Sequence, residues 1–248
     1  MVELIGVAKS FPSGVVALDG FDLDVWAGEF VSVLGPSGCG KSTALRIMAG
    51  LSRPTRGHVE RLQSASAVGS GAIGFVFQEP TLMPWATVAD NVRLPLKLRG
   101  ISGKDQVDAA LSQVGLSTFA GSYPRELSGG MKMRVSIARA LVTESVLLLM
   151  DEPFAALDEI TRFRLNNDLL ALWQSLGKTV VFVTHSVFES VYLSQRVVVM
   201  TPRPGRVFTQ LSIDAPYPRD ERFRTSAAYV AFCRKVSDAL ECAMAAAP

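Results

Sequence analysis

The residues most able to do chemistry form a glycine-rich loop at residues 35–43, with the sequence Gly-Pro-Ser-Gly-Cys-Gly-Lys-Ser-Thr. This is the G-x-x-x-x-G-K-[ST] pattern, and it lies between an apolar strand-like run, Phe30–Leu34, and a helical pattern, Thr43–Ala49. Glycines let the backbone wrap closely, so that successive N–H groups can point at phosphate oxygens. The N-terminus of the following helix adds a partial positive charge. The sequence therefore predicts a cradle for the phosphates of a nucleotide.

Each residue of this loop is a candidate nucleotide contact. The candidates are Gly35, Pro36, Ser37, Gly38, Cys39, Gly40, Lys41, Ser42 and Thr43. Lys41 supplies a mobile cation for the β- and γ-phosphates, and Ser42 supplies a hydroxyl for Mg²⁺. Cys39 is interpreted as a small residue that fills the loop, although its alkylation would block a nucleotide. The alternative is a chance glycine-rich turn, and the flanking strand and helix argue against it.

Two carboxylates, Asp151 and Glu152, follow an apolar run at Val146–Met150 and precede Pro153. Ligands of α/β sheets bind beyond the carboxyl ends of the strands, so Asp151 is a candidate ligand of Mg²⁺, directly or through water. Glu152 points the other way from Asp151 if the strand continues by one residue. It can then take a proton from an attacking water, or orient it. The alternative is a solvated acidic turn, and the phosphate loop in the same chain argues against it.

A second glycine pair lies in Leu127–Met131, where Ser128, Gly129 and Gly130 precede a helical pattern at Met131–Leu141. A helix that starts with glycines after a serine is a second place where backbone N–H groups can meet an anion. One chain does not need two phosphate cradles for one nucleotide, so we expect this one to serve the nucleotide of another copy. The alternative is a simple helix N-cap by Ser128.

Strand and helix patterns alternate along the chain, which predicts an α/β core. Short, mostly unalternating apolar runs indicate strands buried on both faces of a parallel sheet. These runs are Phe30–Leu34, Ile73–Phe77, Val146–Met150, Val180–Val183 and Val197–Met200. Helical spacing is found in Ala44–Leu51 and in Leu165–Leu176, where Gly177 ends the pattern.

Three segments depart from that alternation. Apolar residues alternate with aspartates at 21–25, so we expect a small antiparallel sheet made from roughly residues 2–25 and 57–63. Residues from about 88 to 140 lack strand runs and predict a helical insertion, and residues from about 219 to 248 predict a helical tail. The whole chain, residues 1–248, is interpreted as one domain.

Composition excludes several classes of protein. The 248 residues carry 25 Lys+Arg against 23 Asp+Glu, and this formal net charge of +2 excludes a nucleic-acid binder that relies on a strongly basic surface. Cys39, Cys233 and Cys242 make no disulfide framework. We expect no signal peptide, and no apolar run approaches the roughly 20 residues of a membrane helix. A reducing, cytosolic setting follows, while the mean hydropathy of +0.26 indicates that some apolar surface faces a partner.

The motifs taken together resemble those of the ATPase subunit of ATP-binding-cassette (ABC) transporters. The resemblance spans essentially the whole chain, and six motifs occur in family order. They are the Walker A loop Gly35–Thr43, the Q-loop Phe77–Pro80 with Gln78, the signature Leu127–Met131, the Walker B strand Val146–Asp151 with Glu152, the D-loop Ala156–Asp158, and the switch histidine His185. Three further segments, Met83–Val92, Val197–Val207 and Tyr217–Arg219, resemble the nitrate/sulfonate/taurine-type importer group.

This resemblance implies a P-loop core with a mainly parallel sheet, an N-terminal antiparallel β subdomain and an α-helical signature subdomain. It implies that Gln78 reaches Mg²⁺ and water and senses a membrane subunit, and that His185 contacts the γ-phosphate. Asp158 contributes across a dimer in the family, although it can also N-cap the helix Glu159–Leu176. Phe11 matches an aromatic that stacks on adenine, with packing in the core as the alternative. Met131 and Ser186 depart from the family's usual glutamine and aspartate.

The function implied by the resemblance is ATP hydrolysis with Mg²⁺ in a bacterial importer. Two copies associate head-to-tail, and each ATP lies between Walker A of one copy and Ser128–Gly130 of the other. Membrane permease subunits dock near Gln78 and the helical insertion, and an extracytoplasmic solute-binding protein acts indirectly, so the chain lies on the cytoplasmic face of the inner membrane. The cargo is a small anion or organic solute. The alternatives are a soluble ABC ATPase, a P-loop kinase and a nucleotide-gated scaffold that does not hydrolyse ATP.

Overall fold

A computed structural model describes residues 2–61 and 73–246, and these fall into two compact units. One unit holds residues 2–61 and 179–246, and the other holds residues 73–178. The strands are β1 (Val2–Ser10), β2 (Val16–Val25), β3 (Phe30–Leu34), β4 (Arg56–Arg61), β5 (Ile73–Val76), β6 (Leu147–Asp151), β7 (Thr179–Thr184), β8 (Arg196–Met200) and β9 (Val207–Ser212). The α-helices are α1 (Lys41–Met48), α2 (Val88–Leu98), α3 (Lys104–Gln113), α4 (Gly129–Leu141), α5 (Glu159–Leu176), α6 (Val187–Leu193), α7 (Glu221–Arg224) and α8 (Ala227–Ala245).

The N-terminal strands of the first unit form an antiparallel sheet in the order β2-β1-β4. Phe21, Leu23 and Val25 are buried and the aspartates between them are not, because successive side chains of a strand point to opposite faces. The antiparallel sheet expected from the sequence is therefore confirmed, with residues 62 and 63 outside the described residues. In the same unit β3 pairs in parallel with both β7 and β8, and β9 pairs antiparallel with β8. Every residue of β3 is buried, as expected for a central strand of an α/β sheet.

The second unit combines two parallel strands with the predicted helical insertion. Strands β5 and β6 pair in parallel over Ile73–Val76 and Leu147–Met150. Between them the chain forms α2, α3 and α4, with two single 3-10 turns before α4, so the stretch 88–140 contains helices and no strand. These helices share one buried apolar cluster that includes Val92, Leu111 and Val135. None of the helices in the described ranges is both long and apolar enough to cross a membrane.

Helix α1 begins at Lys41 rather than at the predicted Thr43, and α4 begins at Gly129 rather than at Met131. Both shifts have a local cause at the residue before the helix. Gly40 adopts φ 110 and ends the loop, while the Ser128 hydroxyl accepts a hydrogen bond from the Met131 N–H at 3.3 Å. A capping hydroxyl bonds the third residue of a helix, so the two signature glycines belong to the first turn of α4.

The C-terminal tail forms α7 and α8, and Arg219 ties its start to the rest of the first unit. This side chain is 4% exposed, and its guanidinium donates to the carbonyls of Val191, Tyr192 and Ser194 at the end of α6. It also donates to Ile213 O and Ala215 O after β9. Burial lowers the pKa of Arg219, yet a guanidinium stays charged in proteins. One cation therefore neutralises the carbonyl end of α6 and fixes the entry to the tail.

The variant R219A tests this arrangement. It removes the donor from five carbonyls beside the buried tail, and we expect the free energy of unfolding to fall by about 3 kcal/mol, because buried acceptors lose their hydrogen bonds. Urea denaturation followed by circular dichroism measures the change. The exposed Arg234 on α8 provides a control, and R234A should change stability by less than about 0.5 kcal/mol. Equal effects of the two variants would contradict the role given to Arg219.

Candidate nucleotide-binding site

The phosphate loop connects the end of β3 to the start of α1 in the first unit. Gly38 and Gly40 adopt φ 76 and φ 110, in the left-handed region that favours glycine. A side chain at Gly40 would also approach the Ala17 carbonyl to 2.7 Å. These two positions therefore favour glycine strongly, and they make the tight turn that leads from β3 into α1.

Lys41 lies over this loop as a buried cation. Its ammonium donates to Gly35 O at 2.8 Å and to Pro36 O at 3.0 Å, and Lys41 is only 4% exposed. The Cys39 N–H donates to Pro36 O at 3.3 Å across the same loop. A pre-positioned cation beside loop amides and a helix N-terminus fits a polyphosphate anion. The donor set is therefore suitable for nucleotide phosphates.

Cys39 fills space inside this loop, as the sequence analysis favoured. It is 1% exposed, and a Cβ placed on Gly35 would lie 2.9 Å from its sulfur. The thiol is therefore packed against the loop's own backbone. Ser37 and Gly38 form the exposed apex, and Ser42 and Thr43 are partly buried in the first turn of α1.

His185 follows β7 at the edge where the phosphate loop follows β3. The two strands are parallel, and Leu34 pairs with Thr184, so His185 and Gly35 begin their loops side by side. The carboxyl end of this pair of strands is the edge where α/β proteins bind ligands. The structure thus brings two of the sequence-predicted groups to one edge of the first unit.

The backbone on both sides of His185 is held by a buried carboxylate that the sequence analysis missed. Glu189 is 8% exposed and accepts a hydrogen bond from the Thr184 hydroxyl at 2.5 Å, and that hydroxyl in turn accepts the Ser186 N–H at 3.0 Å. Ser186, the departure from the family's aspartate, caps α6 by accepting the Glu189 N–H at 3.3 Å. The S-x-x-E spacing of Ser186 and Glu189 is a capping-box signal that could have identified both residues.

Phe11 lies at the surface, in the turn between β1 and β2. It is 40% exposed, and the Lys9 ammonium lies 5.4 Å from the centre of its ring. The alternative that Phe11 packs in the core is therefore wrong. An exposed ring with a neighbouring cation can offer a flat face to a base, and its contact with adenine stays a prediction.

In the second unit Gln78 and Asp151 lie at the ends of neighbouring strands. Val76 pairs with Met150 in parallel β5 and β6, so the chain leaves both strands at the same edge. Asp151 is 7% exposed, whereas Gln78 is exposed. An amide and a carboxylate at one sheet edge are oxygen donors of the kind that Mg²⁺ accepts, so this pair fits the metal predicted from the sequence.

The segment after Gln78 is fixed by Arg139, a second residue that the sequence analysis missed. Arg139 of α4 donates to Pro80 O at 2.8 Å and to Thr81 O at 2.9 Å, and also contacts the Thr81 hydroxyl at 3.1 Å. Burial lowers the pKa of Arg139. Since its partners lie some 58 positions away in sequence, no local pattern marks it. Arg139 joins the Q-loop to the helix that begins at the signature.

The condition attached to the expected orientation of Glu152 is not met. That condition was a strand that continues by one residue, but β6 ends at Asp151. Glu152 adopts φ 44, and its carbonyl accepts the Ala155 N–H at 3.2 Å in a turn. Strand alternation therefore says nothing about where its carboxylate points. A left-handed conformation in a non-glycine residue carries strain of about 1–2 kcal/mol, and such strain concentrates at functional positions.

Ser128, Gly129 and Gly130 are adjacent to the D-loop within the second unit. A Cβ on Gly129 would lie 3.2 Å from Leu157, and a Cβ on Gly130 would lie 2.8 Å from Thr161. Asp158 caps α5 by accepting the Thr161 N–H at 2.9 Å, so its capping role is confirmed. Hydrogen bonds from Thr161, chiefly from its backbone, lower the pKa of Asp158. The first turns of α4 and α5 are therefore in contact, and the glycines at the start of α4 leave room for this contact.

The loop, strand and helix around Lys41 define a P-loop nucleotide-binding protein. A family model described as "ABC transporter" matches residues 18–155. The chain therefore belongs to the ABC transporter family.

Three curated relatives show which group within the family this chain resembles. An uncharacterized ABC transporter ATP-binding protein of Methanocaldococcus jannaschii is 51% identical over 92% of this chain and 85% of its own. An aliphatic sulfonates import ATP-binding protein of Pseudomonas syringae is 48% identical over 86% of both chains. A nitrate import ATP-binding protein of Synechocystis is 48% identical over 82% of this chain and 77% of its own. The resemblance to the nitrate/sulfonate-type group is confirmed.

A solved structure supports the same family. It is the dimeric post-hydrolysis state of an ATP-binding cassette bound to ADP and Pi, with a TM-score of 0.74, 34% identity, and coverage of 87% of this chain and 100% of the other. The predicted α/β fold with a mostly parallel sheet and an antiparallel β subdomain is confirmed. The chain is an ATPase that uses ATP and Mg²⁺.

The Thr184–Glu189 hydrogen bond provides a test of the His185 loop. T184V removes the hydroxyl that donates to a buried carboxylate, and we expect it to lower the free energy of unfolding by about 2 kcal/mol. T184S keeps the hydroxyl and loses one methyl, so it should lower stability by no more than about 1 kcal/mol. Guanidinium denaturation compares both variants with the parent. If T184S is as destabilised as T184V, the methyl rather than the hydroxyl holds this loop.

Proposed function

We propose that this chain is the ATP-hydrolysing subunit of a bacterial ABC importer, which drives a small anion or organic solute of the nitrate, sulfonate or taurine kind through separate membrane subunits. The observation that carries the proposal is the 48% identity, over most of both chains, to proteins named as sulfonate and nitrate import subunits. Residues 1–248 act as one ABC ATPase domain on the cytoplasmic face of the inner membrane. The solute-binding protein of such an importer meets the membrane subunits and not this chain.

The residue roles follow the family motifs. Glu152 is the general base or water-orienting group, with His185, Gln78 and Lys41 as its catalytic partners. The Mg²⁺ ligands are Ser42, Gln78 and Asp151, and the metal neutralises phosphate charge when it is bound. The motif order in the chain supports these assignments, and so does the strained φ of Glu152. Residues 35–43, Phe11 and Asp158 contribute the remaining contacts with ATP.

Ser128, Gly129 and Gly130 serve the nucleotide of a second copy in a head-to-tail dimer. Helix geometry leaves the first N–H groups of α4 without intrahelical acceptors, so the amides of Gly129 and Gly130 are suited to an anion. The capping bond of Ser128 is long, at 3.3 Å, and its hydroxyl keeps further capacity to donate. The dimeric cassette with ADP and Pi is a relative of this chain that adopts a two-copy state.

The dimer proposal predicts the behaviour of E152Q. Without the carboxylate that activates water, the variant should bind MgATP, hydrolyse it at least about 100-fold more slowly, and accumulate as a dimer in light scattering after gel filtration. E152Q/S128R should still bind MgATP but remain monomeric, because the added arginine blocks the partner's nucleotide. An E152Q protein that turns over normally would contradict the role of Glu152. A dimeric E152Q/S128R would contradict the contribution of the signature in trans.

An apolar surface of the second unit is the proposed docking site for the membrane subunits. Trp85 is 77% exposed, Leu98 is 80% exposed and Ile101 is 44% exposed. Trp85 precedes α2, Leu98 is its last residue and Ile101 follows it, and large exposed apolar groups are typical of protein contacts. All three follow the Q-loop in the chain, and we propose that a membrane subunit bound to them acts on Gln78.

The transport proposal is tested with L98E. The chain is co-expressed with tagged membrane subunits of an importer from its own genome, and co-purification in detergent is measured with ATPase activity. L98E should lose co-purification while the isolated chain keeps its basal ATPase activity. L51E is the control, because Leu51 is 63% exposed in the other unit, and it should co-purify normally. Failure of the parent chain to co-purify with any membrane subunit would favour the alternative.

The alternative is a soluble ABC ATPase that is not coupled to transport. Cassettes of that kind in DNA repair carry a long coiled-coil arm between the Q-loop and the signature. Here that interval is occupied by α2 and α3, of 11 and 10 residues. The short helices and the exposed Trp85 and Leu98 favour the importer.

A further inference from the structure

The turn between β8 and β9, residues 201–206, lies directly against the phosphate loop. This turn is part of the segment Val197–Val207, which resembles the nitrate/sulfonate/taurine-type importer group. The Arg203 guanidinium donates to the Gly38 carbonyl through Nη2 at 2.8 Å and through Nε at 3.1 Å. Two donors of one cation therefore converge on one carbonyl at the apex of the phosphate loop.

The turn is rigid enough to hold Arg203 in place. Within it, Thr201 N–H donates to Arg206 O at 3.0 Å, and the Thr201 hydroxyl contacts Pro204 O at 3.1 Å. The turn is also tied to β2, because Gly205 N–H donates to Ala17 O at 2.9 Å. The same Ala17 carbonyl lies against Gly40 of the phosphate loop. The turn and the loop thus share one support.

Close packing between the turn and the loop leaves no room for side chains at their contact. A Cβ on Gly205 would lie 2.1 Å from the Cys39 carbonyl, and a Cβ on Gly35 would lie 3.1 Å from Met200. The turn therefore contacts the loop at its apex and at Cys39, while Met200 at the end of β8 contacts it at Gly35. Movement of the loop away from its present shape would break the Arg203–Gly38 bonds first, because Gly38 and Arg203 are the exposed parts of this contact.

The bond to Gly38 O sets the direction of the next amide. A peptide unit is planar and trans, so its carbonyl and its N–H point in opposite directions. While Arg203 binds the Gly38 carbonyl, the Cys39 N–H of the same peptide points in the opposite direction, where it donates to Pro36 O. Without Arg203, only the Cys39 N–H bond to Pro36 O at 3.3 Å would hold this peptide, and a glycine at position 38 permits more backbone orientations than other residues do.

We propose that Arg203 is a positioning residue for nucleotide binding: it keeps the Gly38 carbonyl bound to a cation and turned away from the phosphates, and so strengthens binding of nucleoside di- and triphosphates. The inference rests on the role proposed for residues 35–43. It goes beyond that role because Arg203 lies outside the loop and acts through the Gly38 carbonyl. The bonds are charge-assisted, which makes them about twice as strong as neutral ones.

The test compares R203A, R203K and R206A by calorimetric titration with MgADP and MgATP. R203A should raise both dissociation constants about tenfold, while kcat at saturating ATP and the melting temperature of the nucleotide-free protein stay close to the parent's. R203K keeps a cation that can donate to Gly38 O, and should recover part of the affinity. R206A is the matched control, since Arg206 lies in the same turn but pairs with Asp19 at 2.5 Å, and it should bind like the parent.

Three outcomes would overturn the inference. In the first, R203A binds both nucleotides within twofold of the parent. In the second, R206A loses as much affinity as R203A, which would assign the effect to the turn as a whole. In the third, affinity falls only in step with the melting temperature and R203K recovers nothing. A parent protein that binds no nucleotide would instead overturn the assignment of the phosphate loop, and this inference with it.

Discussion

A loop that turns its N–H groups towards an anion must turn its carbonyls elsewhere, and each of those carbonyls then needs a donor. This constraint organises the surroundings of the phosphate loop. The Gly35 and Pro36 carbonyls lie against the Lys41 ammonium, and the Gly38 carbonyl accepts from Arg203. Both partners are cations, so the charge that satisfies the carbonyls also favours a polyphosphate nearby. The loop is thus shaped by the same positive charge that attracts its ligand.

The same logic of unpaired backbone groups explains why motif residues recur at helix starts. Ser128, Asp158 and Ser186 each accept an N–H from the third residue of the helix that follows. The first turn of a helix has N–H groups without acceptors, and a short polar side chain satisfies one of them. The remaining amides stay available to an anion. A capping role and a functional role are therefore compatible for one residue, and the cap fixes the backbone on which the functional groups depend.

Much of this organisation could be predicted from the sequence, because it is encoded by patterns of near neighbours. Three local patterns each specify a local structure: the alternation at Phe21–Val25, the apolar run at Phe30–Leu34 and the phosphate-loop spacing. The structure forms strand β2, strand β3 and the loop before α1 at these places. The direction of Glu152 could not be predicted in this way, because it depends on whether the strand stops one residue earlier. Arg139 and Arg203 were missed for a different reason: their acceptors are backbone carbonyls far away in the sequence, and a carbonyl carries no residue-specific signal.

Those missed arginines share a physical role that differs from catalysis. Arg203 links the β8–β9 turn to the phosphate loop, and Arg139 links the last turn of α4 to the segment after Gln78. Helix α4 begins at Gly129 and has 13 residues, so it spans about 20 Å. Helix α4 therefore carries the signature glycines in its first turn and, in its last turn, the guanidinium that binds the segment after Gln78, while its apolar side packs in one buried cluster.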